Sequence, residues 1–218
     1  MDVPKFRETY WNYYLQLESD FFSLEPFCTI DIENNEAFSV KYLQCLLAIC
    51  GELDTILKKF CKKLDSSLDI NHCSIVDYKR ILMNKYPKIS KEIVTIDFHI
   101  YGKICPFDSW NEENEPLSWW KTYNKVKHHR DEIWKGKESY KHANQKSVIE
   151  ALAALYVIEE YWTAYNFVWN NGWQENHIME IIKSTRMTLE NWKVFFRGYV
   201  GSKRFDANAC RACFNFQE

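Results

Sequence analysis

The chain has 218 residues, of which 46% are hydrophobic, 17% aromatic and 27% charged, and its formal net charge is −2. Six glycines and five prolines are too few for a low-complexity linker, and the apolar content excludes global disorder, so the composition is that of a globular protein with a sizeable aromatic core. The near-zero charge excludes a bulk pull toward nucleic acid or membrane; any such pull must be local.

In chain order, residues 5–24 mix aromatic and acidic side chains (Tyr10, Trp11, Tyr14, Leu17, Phe21, Phe22) and read as a first helix ending near Glu25-Pro26. Ser39 is placed to cap a second, long helix. In it Leu43, Leu46, Leu47, Cys50, Leu53, Leu57, Phe60 and Leu64 recur at the helical period. Lys58, Lys59, Lys62 and Lys63 suit the negative end of its dipole. Ser74-Ile-Val-Asp77 has the form of a capping box before a third helix stopped by Pro87. Residues 93–101 alternate Val94, Ile96, Phe98 and Ile100 with Thr95, Asp97 and His99, which predicts a strand; Gly102 predicts a hairpin returning through Ile104.

An acidic, turn-rich piece from Asp108 to Pro116 follows, and Ser118 is expected to cap a helix beginning Trp119-Trp120. Residues 133–143 read as a loop or short helix around Gly136. Ser147-Val-Ile-Glu150 reads as a second capping box. It opens a helix that is apolar on several faces and therefore expected to be buried on several sides, ending at Asn170-Asn-Gly172. Residues 175–196 read as another amphipathic helix, before a mixed tail. The fold class is mainly α, with a small β-hairpin insertion near residues 93–105.

The longest apolar run, Ala151 to Ile158, is far short of the roughly 20 residues that span a bilayer, so no membrane partner is expected. The opening residues have no continuous apolar core after a basic start, which argues against a secretory signal and makes the cytoplasm the expected compartment. There the eight cysteines are expected as free thiols. Cys210-Arg-Ala-Cys213 is a lone CxxC with no second pair, and Asn71-His72-Cys73 lacks the ligand count of a metal site. The scattered glycines form no phosphate loop, and GxSxG and HExxH are missing, which argues against nucleotide hydrolases, α/β-hydrolases and zincins. No cofactor or metal is expected.

The informative segment is Trp119-Trp-Lys-Thr-Tyr-Asn-Lys-Val-Lys-His-His-Arg130. On a helix Asn124 and His128 are i,i+4 neighbours. Between Lys121 and His142 stand seven Lys or Arg, three acids and three of the six histidines, a local charge of +4 in a chain of −2. One reading is a solvated amphipathic helix whose Asn124 and His128 satisfy each other. The other is a phosphate-directed site. There His128 would handle protons with Asn124 orienting its ring, Arg130 would meet developing charge, and Lys121, Lys125 and Lys127 would bind backbone phosphates.

Asn124-x-x-Lys127-His128-x-Arg130 on a helix, followed by the alanine- and leucine-rich run from Ala143 to Leu155, resembles the HEPN superfamily. The opening Tyr10-Trp-Asn-Tyr-Tyr and the segment from Ser39 to Lys58 extend the likeness over roughly residues 8–165. The resemblance implies a HEPN-like helical bundle over residues 1–172, with residues 173–218 as a C-terminal helix and tail packed on it. It implies a homodimer that places two copies of the motif in one cleft, and RNA-directed function in phage defence or toxin–antitoxin biology, as a metal-independent endoribonuclease. Tyr123 stands where the family pattern has arginine, leaving Arg130 or Lys127 as the candidate substitutes. The alternative is a non-catalytic protein–protein interaction module, the partner of a cognate toxin or antitoxin. The dimer contact is expected along residues 118–130, through an exposed Trp119-Trp120 pair.

Overall fold

The computed structural model describes residues 2–96, 101–112, 116–169 and 184–190. The first helical run is α1 (Val3–Phe6), a π-helical turn (Arg7–Trp11) and α2 (Asn12–Phe22). Next come α3 (Val40–Leu64) and α4 (Ile75–Lys85). The spacing argument holds on both: the Ser39 hydroxyl accepts the Tyr42 N–H at 3.1 Å, and Ser74 and Asp77 form their reciprocal box.

Strands β1 (Val94–Ile96) and β2 (Lys103–Ile104) pair antiparallel, Val94 opposite Ile104, and Gly102 at φ 91 supplies the left-handed residue their connection needs. Residues 97–100 of the predicted strand lie outside the described residues. Helix α5 (Ser118–His128) leads to a hairpin, β3 (Ile133–Trp134) and β4 (Lys137–Glu138), then to a 3-10 turn (Ser139–His142) and to α6 (Gln145–Thr163). Beyond α6 the chain continues as a second π-helical turn, Ala164–Trp169. The predicted helix end at Asn170-Asn-Gly172 and the Cys210/Cys213 pair lie outside the described residues.

Three expectations are corrected. Leu117, not Ser118, is the cap of α5; Ser118 is already helical and its hydroxyl donates to Glu150 at 3.0 Å. Helix α6 starts two residues before Ser147, because Asn144 accepts the Ser147 N–H at 3.0 Å, and the Ser147 hydroxyl donates to the His142 carbonyl instead. Within the predicted helix 175–196, Met187–Leu189 is a strand, β5, antiparallel to β1 with Val94 opposite Leu189. Met187 and Leu189 are buried on one face while Thr188 pairs across to Thr95 at 2.8 Å, a period of two inside a run that also fits 3.6. The sheet order is therefore β2-β1-β5.

The core is the seam between α3 and α6. Leu46, Ile49, Cys50, Leu53, Ile56, Leu57 and Phe60 are fully buried on α3, and every residue from Ala151 to Ile158 is buried on α6. The first helical run closes a third side: Tyr14 stacks on Tyr156 with ring centroids 5.7 Å apart, and Tyr10 meets Trp162 at 4.6 Å. Two buried polar residues pin non-helical chain to this bundle. Gln145 donates to the Thr29 carbonyl and the Tyr42 hydroxyl and accepts the Asp31 N–H. Glu18 accepts from the Tyr14 hydroxyl, the Thr185 N–H and hydroxyl, and the Ser184 hydroxyl, which fixes the approach to β5. Cys50 and Cys61 are buried free thiols, pushed up by burial; Cys45, half-buried, is raised to about 11 by the same cause. Among the described residues no helix is long and apolar enough to cross a membrane.

Candidate functional site

Helix α5 divides cleanly by face. Trp119, Trp120, Tyr123 and Val126 are buried, and the Trp119 indole donates to the Pro106 carbonyl at 2.9 Å. The tryptophan pair expected to be exposed therefore belongs to the chain's own core, with Trp119 1% and Trp120 8% exposed. Tyr123 is also core, 5% exposed, with its ring 5.3 Å from that of Trp120. The opposite stripe is Lys121, Asn124 and His128, all exposed and spaced by three and four residues, with Lys127 exposed on its flank. Arg130 follows just past the helix end, also exposed.

The structure thus brings Asn124, His128, Lys121, Lys125 and Lys127 onto one short helix with Arg130 beside it, but does not join Asn124 to His128. Neither side chain hydrogen-bonds to a described residue. His129 is the tethered one, its Nδ1 2.8 Å from Glu132 Oε1, while Lys125 reaches the same carboxylate at 3.8 Å.

The other cations sort by partner. Lys137 bonds Glu36 at 3.0 Å, which holds that carboxyl below the usual range, and Lys141 bonds Glu138 at 2.8 Å, which raises the lysine. Lys121, Lys127, Arg130 and Lys135 meet no acid among the described residues. Lys127 lies 5.3 Å over the Tyr123 ring; Lys121 and Lys135 lie 6.0 and 4.9 Å over that of Trp134. Sequence reasoning had no reason to pick out Trp134. Its neighbourhood is assembled by the β3–β4 turn, whose central residues Lys135 and Gly136 both have positive φ, 49 and 82. That is the backbone of a two-residue hairpin turn, usually signalled by Asn-Gly rather than Lys-Gly.

A cavity of about 680 Å³ opens at the other end of α5, roughly 15 Å along its axis from His128. Its walls include Tyr101, Lys103, Cys105, Ser118, Lys146 and Glu150, and none of the predicted site residues. Burial raises the Glu150 carboxyl there. His128 is exposed among the described residues, away from this cavity. His72, from the Asn71-His72-Cys73 segment, pairs with Asp69 at 2.7 Å. No family model, curated protein or solved structure matches the chain.

Proposed function

We propose that the chain is an RNA-directed, HEPN-like protein that meets phosphates with the exposed face of α5. The observation that supports it is the gathering of Lys121, Lys127, Arg130 and Lys135, without acidic partners among the described residues, around exposed His128 in a chain of net charge −2. Cations held only over rings are redirected to a polyanion at less cost than paired ones, which must first give up a carboxylate. Cleavage on this reading is metal-independent. His128 takes the 2′-hydroxyl proton and returns it to the leaving oxygen as the P–O bond breaks, Arg130 or Lys127 balances charge on the phosphorane, and the Glu132 carboxylate is engaged by His129 and Lys125. A homodimer would set two such faces together. Its biology would be phage defence or toxin–antitoxin pairing.

Burial of Tyr123 favours a second reading. The place of the family's arginine points into the core here, so a binding or toxin-partner module without catalysis fits the same surface. Fluorescence anisotropy with a labelled single-stranded RNA, at low and physiological salt, tests the shared premise. Binding should weaken steeply with salt and fall at least tenfold in the Lys121→Glu/Lys127→Glu double variant. A gel assay in EDTA then separates the readings: cleavage lost in His128→Ala supports the nuclease, and binding without cleavage supports the module. Salt-insensitive or absent binding discards both forms of the RNA reading.

A further inference from the structure

Beside the α5 stripe the chain carries a second set of side chains that phosphate binding leaves unexplained. The turn Ser139–His142 presents two ring pairs. His142 packs on Trp134 with centroids 4.6 Å apart and meets the Trp134 carbonyl at 2.7 Å, while Tyr140 sits edge-on to Phe38 at 6.1 Å. Phe38 and Tyr140 are 46% and 37% exposed, and neighbouring Ile133 is 70% exposed. Each pair carries its own cations: Lys121 and Lys135 over Trp134, and Lys141 within 5.9 Å of both Phe38 and Tyr140. The surface is built rather than incidental. Phe38 is held beside the start of α6 by its bridge to Asn144, Tyr140 donates its N–H to the Arg130 carbonyl, and Lys137–Glu36 ties the hairpin to the Phe38 segment. Lys135 occupies a left-handed position that Asn or Gly fills at less cost, and that conformation sets its ammonium at the Trp134 ring.

Apolar partners would not select the lysines, and an acidic peptide would not need the rings. Alternating rings and cations match a polymer of planar bases on a phosphate chain whose bases are unpaired. We propose that Trp134, Tyr140 and Phe38 form a base-stacking platform for single-stranded RNA, with Lys121 and Lys135 over the Trp134 ring placed to move onto adjacent phosphates. The inference rests on the RNA reading of α5 and adds what that face lacks, a means of telling unpaired strands from any other polyanion.

The test compares a fluorescein-labelled oligouridylate 12-mer with an abasic 12-mer of the same phosphate charge, using the full chain. The platform predicts that the base-bearing strand binds at least about tenfold tighter, the lower part of the range for stacked bases. Trp134→Ala and Phe38→Ala should each erase most of that preference while keeping the salt-dependent affinity for the abasic strand. Trp134→Phe should keep the preference, and exposed Phe38 gives a variant with little risk to folding. Equal affinity for both strands, or a preference intact in both alanine variants, overturns the platform and leaves the phosphate reading of α5 standing. Polyglutamate competing as well as oligouridylate also overturns it, marking a surface for an acidic protein. No binding of either strand removes both proposals together.

Discussion

At Tyr123 one side chain decides between two chemistries. The ring is core, packed on Trp120, and Lys127 lies across it. An arginine there would enter a buried site beside a like charge, so Tyr123→Arg is expected to destabilise the protein by about 2 kcal/mol without gaining RNase activity. Urea unfolding and a matched RNA gel check it; unchanged stability with new cleavage would mean that position 123 reaches the surface. His128 is the opposite case. It is exposed and makes no hydrogen bond to a described residue, so His128→Ala should change stability by less than about 0.5 kcal/mol. Any loss of RNA affinity or cleavage in that variant is then functional. His129→Ala gives up a contact to Glu132 and should matter less to RNA than to the local turn.

At the level of elements, the caps show what local chemistry decides. Asn144 takes the Ser147 amide, so Asn144→Ala should cost about 1 kcal/mol, whereas Ser118→Ala removes only a surface bond to Glu150 and should cost less than half as much. Equal costs, measured by the urea midpoint at constant slope, would contradict the assignment of the caps. Helices α3 and α4 were legible because their signals are local: Ser39, the Ser74–Asp77 pair and apolar residues every three or four positions. The buried face of α5 was not legible: Trp119, Tyr123 and Val126 do repeat at helical spacing, but the adjacent Trp119-Trp120 pair reads equally well as an exposed dimer contact, and it is core. Nor was strand β5, because three residues cannot distinguish periods of two and 3.6, and its partner β1 lies about ninety positions away. The contacts that hold its approach, from Glu18 to Ser184 and Thr185, are equally non-local. The β3–β4 hairpin escaped because Lys135 occupies a position where turn rules look for Asn or Gly, and with it escaped the ring surface around Trp134.

Across the whole molecule, the buried carboxyl groups set how stability responds to pH. Glu18 is buried with donors from Tyr14, Ser184 and Thr185. Glu159, equally buried on α6, has no hydrogen-bond partner at either oxygen among the described residues. Burial holds its carboxyl well above the usual 4.5, and the charges of Glu52 and Glu160 push the same way. Glu160 and half-buried Glu52 are raised as well, mainly by burial. The folded chain therefore keeps protons that the unfolded chain releases above the ordinary glutamate range. Because the native state binds more protons there, stability falls as pH rises from about 4.5 toward the raised native values. Glu159→Gln keeps the shape and removes the ionisation. It should flatten part of that fall and be more stable than wild type at pH 8 by at least about 1 kcal/mol, the worth of roughly one pKa unit. At pH 4.5 the two proteins should differ little, since both carry a neutral side chain at 159. Urea midpoints at pH 4.5, 6, 7 and 8 measure it. Parallel profiles for the two proteins would show that Glu159 does not hold its proton in the folded state, and a lower midpoint for Glu159→Gln at pH 8 would show that its carboxylate is stabilised there after all.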